Sequence, residues 1–185
     1  FVEYALSRGF QVFILSWRNP QEEQRHWSLD IYVGAIIDAL ESVTAITKTK
    51  DVNTIAFCAG GMTQSIMLGY LHATRRRLVN AASLGVTMID THRASTLNSF
   101  ATRRSIESSV NKSRKAGGMS GRELARVFAW VRPNDLIWNY WVANYLMGEN
   151  PPAFAALAWN ADATNPPNQL HEQFLDISVR NAPLE

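Results

Sequence analysis

The sequence predicts an α/β fold: parallel strands with helices on their faces, interrupted by a helical insertion. Three observations carry this. Short apolar runs rich in β-formers alternate with helix-length amphipathic segments up to about residue 90. The alternation stops after Asp90. The chain also has 185 residues, 46% hydrophobic and only 18% charged, which suits a packed core rather than a disordered or coiled-coil chain.

Tyr4 to Arg8 reads as the end of a helix, stopped by Gly9. Phe10 to Trp17 is a compact apolar run and reads as a first buried strand, ended by Arg18-Asn19-Pro20. Ser28 is a candidate N-cap. Leu29, Tyr32, Val33, Ile36, Ile37, Leu40 and Val43 then recur at helical spacing, giving an amphipathic helix from Leu29 to about Thr47. Val52–Phe57 is a second strand, Ala59 to about Thr74 a helix, and Ala81–Met88 a third strand. Ser95–Lys115 is polar with scattered apolar residues, and Gly117-Gly118 breaks it. Ser120 caps a helix that Arg132-Pro133 ends. Asp135–Leu146 is helical in length and apolar nearly all round, so it reads as buried on several sides or seated at an interface. A loop rich in Pro and Asn runs to Gln169, and Leu170–Asn181 is a last helix. The expected divisions are a partial α/β core over 1–90, a helical region over 91–169, and a return toward the core over 170–185.

Composition excludes several function classes. No stretch approaches the roughly 20 apolar residues needed to span a bilayer. A single cysteine rules out an internal disulfide and a cysteine-rich zinc site, and no metal centre is expected. The chain opens on Phe1 with no signal-peptide pattern, and reads as an internal piece of a longer, soluble, cytoplasmic protein. The net charge of +2 is unevenly placed: eight basic residues between Arg93 and Arg126 face only Glu107 and Glu123. That run is a solvated helical face or a landing strip for a polyanion. Nucleic acid is not expected, because no aromatic interleaving or binding module accompanies it.

The chemistry concentrates at Thr54-Ile55-Ala56-Phe57-Cys58-Ala59-Gly60-Gly61. A buried strand runs into one reactive side chain and a helix begins at once, the layout of a nucleophile elbow. Such a turn is sharp and strained, so small residues two before and two after the nucleophile are needed; Ala56 and Gly60 occupy those places. Cys58 then projects at a helix N-terminus, whose dipole, about half a positive charge, favours a negatively charged sulfur. The backbone N–H of Ala59 points at a developing oxyanion. The alternative is an inert core cysteine.

Four segments resemble the polyhydroxyalkanoate synthases, α/β-hydrolase-fold enzymes that polymerise hydroxyacyl-CoA thioesters. They are Val12 to Pro20 ending in Ser-Trp-Arg-Asn-Pro, the Phe57-Cys58-Ala59-Gly60-Gly61 box, Arg132-Pro133-Asn134-Asp135-Leu136-Ile137-Trp138-Asn139-Tyr140, and Asn144-Tyr145-Leu146-x-Gly148 followed by Trp159-Asn160-x-Asp162-x-Thr164-Asn165. Departures are Ala56 for the usual Gly, Met62 for Thr or Ile, and Pro166 where Leu is common. None removes a reacting atom.

The resemblance implies an α/β-hydrolase fold with a helical cap, and Cys58 as the nucleophile that takes the acyl group from CoA. A hydroxyl then attacks the enzyme thioester and the polyester grows by one unit. The partners it implies are a hydroxyacyl-CoA and the growing polyester chain, with no cofactor, and a homodimer at the surface of cytoplasmic polyester granules. It puts the catalytic Asp and His beyond residue 185 and the second oxyanion donor before residue 1. His26, His72, His92 and His171 do not replace that base. His171 with Asp162 is the one tempting pair, but both fall in or beside the cap segment. Asp162 and Asp135 read as structural carboxylates. The competing readings are a cysteine-nucleophile esterase or depolymerase of the same fold, and a non-catalytic granule-associated relative. The block from Trp138 to Asn165 argues against the first, and the presence of Cys58 against the second.

Overall fold

The computed structural model describes residues 1–90, 102–151 and 165–180. The chain divides into two compact units, one of residues 1–17 and 29–89, the other built from 18–28 and the chain after 89.

In the first unit, helix α1 (Val2–Ser7) precedes α2 (Leu29–Thr47), β1 (Val52–Phe57), α3 (Ala59–Ala73) and β2 (Val79–Gly85). β1 and β2 pair in parallel, with Ile55 opposite Ser83 and Phe57 opposite Gly85. A one-residue irregularity after Val52 sets Asn80 out of the ladder, where its Nδ2 donates to Asn53 Oδ1 at 2.9 Å. Helix α3 makes the crossover that parallel strands require.

The core forms because Val33, Ile37 and Leu40 fall on one face of α2 and meet Met67 and Leu71 of α3. Met67 is fully buried. Val52 and Val79 close this cluster from the sheet. Along β1 the burial alternates, with Val52, Thr54 and Ala56 more covered than Asn53, Ile55 and Phe57, as the two-residue period of a strand dictates. An Arg76–Glu41 ion pair ties the end of α3 to α2.

The expected strand over Phe10–Trp17 is not formed. That segment makes no ladder, and Phe10, Phe13, Ile14 and Leu15 are exposed. Its composition is right for a strand, but strand structure is a property of a pair, and no neighbouring strand among the described residues engages it. The third expected strand forms two residues early, at Val79, and stops at Gly85, because Val86 turns into positive φ (51°).

In the second unit, the polar stretch contains a regular helix, α4 (Arg103–Ala116), followed by α5 (Gly121–Val131), two π-helical stretches (Asn134–Trp138 and Trp141–Leu146) and α6 (Asn168–Arg180). Thr102 caps α4 by accepting from Ser105 N, and Gly117, at φ 80°, ends it in the left-handed conformation. Among the described side chains of α4 only Ile106, Val110 and Ser113 are buried, so its apolar stripe is too thin to announce a helix in the sequence.

Ser120 caps α5 as expected, accepting from Glu123 N. Ser120→Ala should therefore lower stability by about 1 kcal/mol, read as a shift in the chemical-denaturation midpoint of the intact protein. A midpoint unchanged within error would mean that Asn165 alone suffices at this helix start.

Asn165 Oδ1 accepts from Gly121 N at 2.8 Å, while Asn165 N donates to Asn19 Oδ1 at 2.7 Å. A short antiparallel bridge between Gly118 and Pro167 continues this clasp. Two asparagines from separate sequence motifs thus hold the start of α5 against residue 165. Asp135 pairs with Arg132 one turn earlier, consistent with a structural carboxylate.

The segment 135–146 differs from expectation. Its turns are π-helical, with Met147 N donating to Val142 O at 3.0 Å, and its aromatic side chains are open: Trp138 is 56% and Tyr145 71% exposed. Trp141 and Tyr145 stack at 4.5 Å between ring centroids. Core packing is therefore not what occupies this face among the described residues. Uniform apolarity signals that a helix needs cover, without saying which chain provides it.

Candidate active site

Cys58 is the single residue between β1 and α3. Its backbone sits at φ 51°, ψ −125°, a conformation that L-residues with a side chain rarely adopt. Three hydrogen bonds fix it there. Cys58 N donates to Gly85 O at 3.0 Å, continuing the ladder past the last β1 residue. Cys58 O accepts from Gly61 N at 3.0 Å and from Met62 N at 3.2 Å, opening the helix. The chain thus passes from extended to helical across one residue, and the side chain is thrown outward: Cys58 is a free, exposed thiol.

Ala59 is the first residue of α3. The N–H of a first helical residue has no intrahelical carbonyl to bond, so it is available to an external oxyanion beside the cysteine. Only small side chains allow this turn, but not at the position the motif suggests. A Cβ on Gly60 would meet nothing within 4 Å. A Cβ on Gly61 would lie 1.9 Å from Thr87 Oγ1 and 2.9 Å from Thr87 Cβ. Gly61, not Gly60, is where the helix passes closest to the chain leaving β2. Gly85 plays the matching part on the strand side, since a Cβ there would lie 2.4 Å from the Phe57 ring.

Val86 and Thr87 complete the arrangement and were not singled out from sequence. Val86 is a second residue with positive φ, directly after Gly85, and Thr87 Oγ1 donates to Gly85 O at 3.1 Å. Gly85 O thus receives both the Cys58 N–H and the Thr87 hydroxyl. Both strands end in a left-handed residue at the same edge. The strand expected from sequence runs through this turn to Met88; Gly85 is the one local feature that sets the turn apart.

In the first unit the described histidine is His72, near the C-terminal end of α3, about 20 Å along the helix from Cys58. His92 and Asp162 lie outside the described residues. His171 is buried in the second unit, and burial holds its imidazole below the usual range, against the opposing effect of Glu123 and Glu172. Among the described residues no cluster of three or more His, Cys, Asp or Glu is placed to hold a metal ion, and no helix is long and apolar enough to cross a membrane.

On the basic run, Lys112 pairs with Glu123 and Arg114 with Glu172, so two of its cations serve packing between helices. The hydrogen bond from Lys112 lowers the pKa of the Glu123 carboxyl.

A parallel strand pair, a crossover helix and a positive-φ cysteine between β1 and that helix define the class. The α/β-hydrolase fold model matches residues 2–178, and the chain belongs to that family. Its similarity narrows further. Over 98% of its length it is 46% identical to poly(3-hydroxyalkanoate) polymerase 2 of Ectopseudomonas oleovorans, and over 96% it is 42% identical to polymerase 1 of the same organism. It is 34% identical over 90% of its length to the poly(3-hydroxyalkanoate) polymerase subunit PhaC of Cupriavidus necator. The chain spans about a third of the length of these relatives (32%, 32% and 29%).

Proposed function

We propose that this chain carries the nucleophile of an acyltransferase that polymerises (R)-3-hydroxyacyl-CoA into polyhydroxyalkanoate with release of CoA. The observation that carries the reading is Cys58 at φ 51° between β1 and α3, in a chain whose relatives are polyester polymerases. The Cys58 sulfur attacks the thioester carbonyl, the C–S bond to CoA breaks, and CoA leaves as the thiol with the proton given up by Cys58. The hydroxyl of a growing or incoming acyl unit then attacks the Cys58 thioester. A C–O bond forms, the Cys58–acyl bond breaks, and the proton returns to sulfur. Exchange of one thioester for another is nearly isoenergetic, which suits cysteine to the first step. The Ala59 N–H supports the oxyanion in both steps.

In this reading the base and its aspartate, and a second oxyanion donor, come from outside residues 1–185. Residues 91–169 act as the cap segment. The full protein works in the cytoplasm at the surface of polyester granules as a homodimer, and the exposed aromatic face at 138–145 suits such a contact.

The test uses the full-length protein with 3-hydroxybutyryl-CoA, following CoA, free hydroxyacid and polymer together, with mass spectrometry of the Cys58 peptide after rapid quench. CoA released without free hydroxyacid, and an acyl adduct on Cys58, are expected. Stoichiometric free hydroxyacid would identify an esterase instead.

A further inference from the structure

The second unit carries a polar cluster that the proposed chemistry does not use. Where the C-terminal half of α4 runs beside the start of α6, three buried side-chain atoms have no hydrogen-bond partner: Ser113 Oγ, Asn168 Oδ1 and His171 Nδ1. Ser113 is 3% and His171 8% exposed. Two cross-links fix the register. Asn168 N donates to Gly117 O at 3.2 Å, and Arg114 pairs with Glu172. Ser113 lies one turn before Gly117, and His171 one turn after Asn168. The antiparallel register therefore sets Ser113 beside His171, with Asn168 one turn along α6 at the level of Gly117.

Buried polar atoms in native proteins find partners, and when protein groups do not supply them, ordered water does. The donor–acceptor count here fits one water. A carboxamide oxygen only accepts, a neutral imidazole Nδ1 accepts or donates according to its tautomer, and a serine hydroxyl does both. A water that donates to Asn168 Oδ1 and His171 Nδ1 and accepts from Ser113 Oγ satisfies all three, and makes the three bonds typical of a buried water. We propose that Ser113, Asn168 and His171 form a structural water site that bridges α4 and α6.

The site couples the helix pairing to pH. Protonation turns Nδ1 into a donor and puts a charge on a buried imidazole, so the water must reverse that bond and the pairing weakens. The charged groups around His171 are Glu172 on its own helix, Glu123 on α5 and Arg114 on α4, with Lys112 of α4 paired to Glu123. Burial outweighs the two carboxylates, so the folded-state value is depressed. For a base, this means the unfolded chain binds the proton more readily. Stability is then full well above pH 6.5 and falls as pH drops through the unfolded value of about 6.5 toward the lower folded one.

The test is a high-resolution crystal structure of the full-length protein at neutral pH. One spherical density peak about 2.7–3.2 Å from each of the three atoms is expected. Direct bonds among the three side chains with no peak, or a peak at the shorter distances of a metal ion, would overturn the site. A second measurement is independent of crystals. Nitrogen-15 spectra should show His171 neutral at pH 7.5, and a charged imidazole there would overturn the coupling to pH. His171→Asn keeps an acceptor near the Nδ1 position but does not titrate. It should keep the peak and flatten the loss of thermal stability between pH 7.5 and 5.5, whereas retention of the whole wild-type slope would refute the coupling.

Discussion

Replacing Cys58 by alanine in the full-length protein is expected to lower CoA release by about 10³-fold or more while leaving the fold intact. The size follows from the role proposed for the sulfur. Without a nucleophile no covalent acyl-enzyme forms, and only binding and oxyanion stabilisation remain. Alanine removes one sulfur from an exposed position, so stability should change little. Cys58→Ser is the sharper probe. It keeps a nucleophilic atom at the same turn but stores the acyl group as an oxoester, a poorer donor for the next ester bond. Acylation should survive better than chain growth, giving a short burst of CoA followed by a stall. Turnover near wild type in Cys58→Ala, checked by steady-state CoA release, would mean that another residue attacks the thioester.

The second large effect concerns the two glycines after the cysteine, which the structure separates sharply. Gly60→Ala adds a methyl group that meets nothing within 4 Å, at a helical position, and should be neutral or stabilising by about 0.5–1 kcal/mol. Gly61→Ala places its Cβ 1.9 Å from Thr87 Oγ1. Either α3 shifts or the chain leaving β2 gives way, and Gly85, whose carbonyl holds Cys58 N, is two residues from Thr87. A loss of about 1–3 kcal/mol is expected, with a fall in activity that exceeds it because the Cys58 turn moves. Thr87→Ala removes Oγ1 and Cγ2 but leaves the Cβ contact at 2.9 Å, so the double variant should recover part of the loss. A double-mutant cycle on denaturation midpoints checks this. Additive single effects would show that the crowding is not between these two residues.

How much of this was legible in the sequence depended on whether the responsible forces were local. Helix α2 begins and ends at Leu29 and Thr47, as its periodicity indicates, because the apolar stripe that buries against Met67 and Leu71 is the same stripe that marks the helix. The turn at Cys58 was legible for the same reason: strand, single residue and glycine-rich helix start are contiguous. The strand expected over Phe10–Trp17 failed because its hydrogen bonds must come from elsewhere. Helix α4 was hidden by having few buried residues, although Thr102 and Gly117 bracket it with ordinary caps. The steric role of Gly61 depended on Thr87, 26 residues away, so spacing pointed to Gly60 instead. Asn19 and Asn165 were recognisable as motif residues, but nothing local shows that one holds the other.

That clasp also bears on the order in which the chain can fold during synthesis. Asn19 emerges from the ribosome 146 residues before the partner it holds. At about 5–20 residues per second, the delay is roughly 7–30 s. Residues 29–89 are complete well before it ends and can condense around Met67 on their own contacts. Residues 18–28, lying between two pieces of that first unit, can bond Arg114 through Arg25 before then but lack the Asn19–Asn165 bond throughout. A nascent chain stalled before residue 165 would thus present the condensed α2–α3 core with its polar loop still lacking one anchor, and sensitivity to protease in that loop should fall further once the second asparagine has been made.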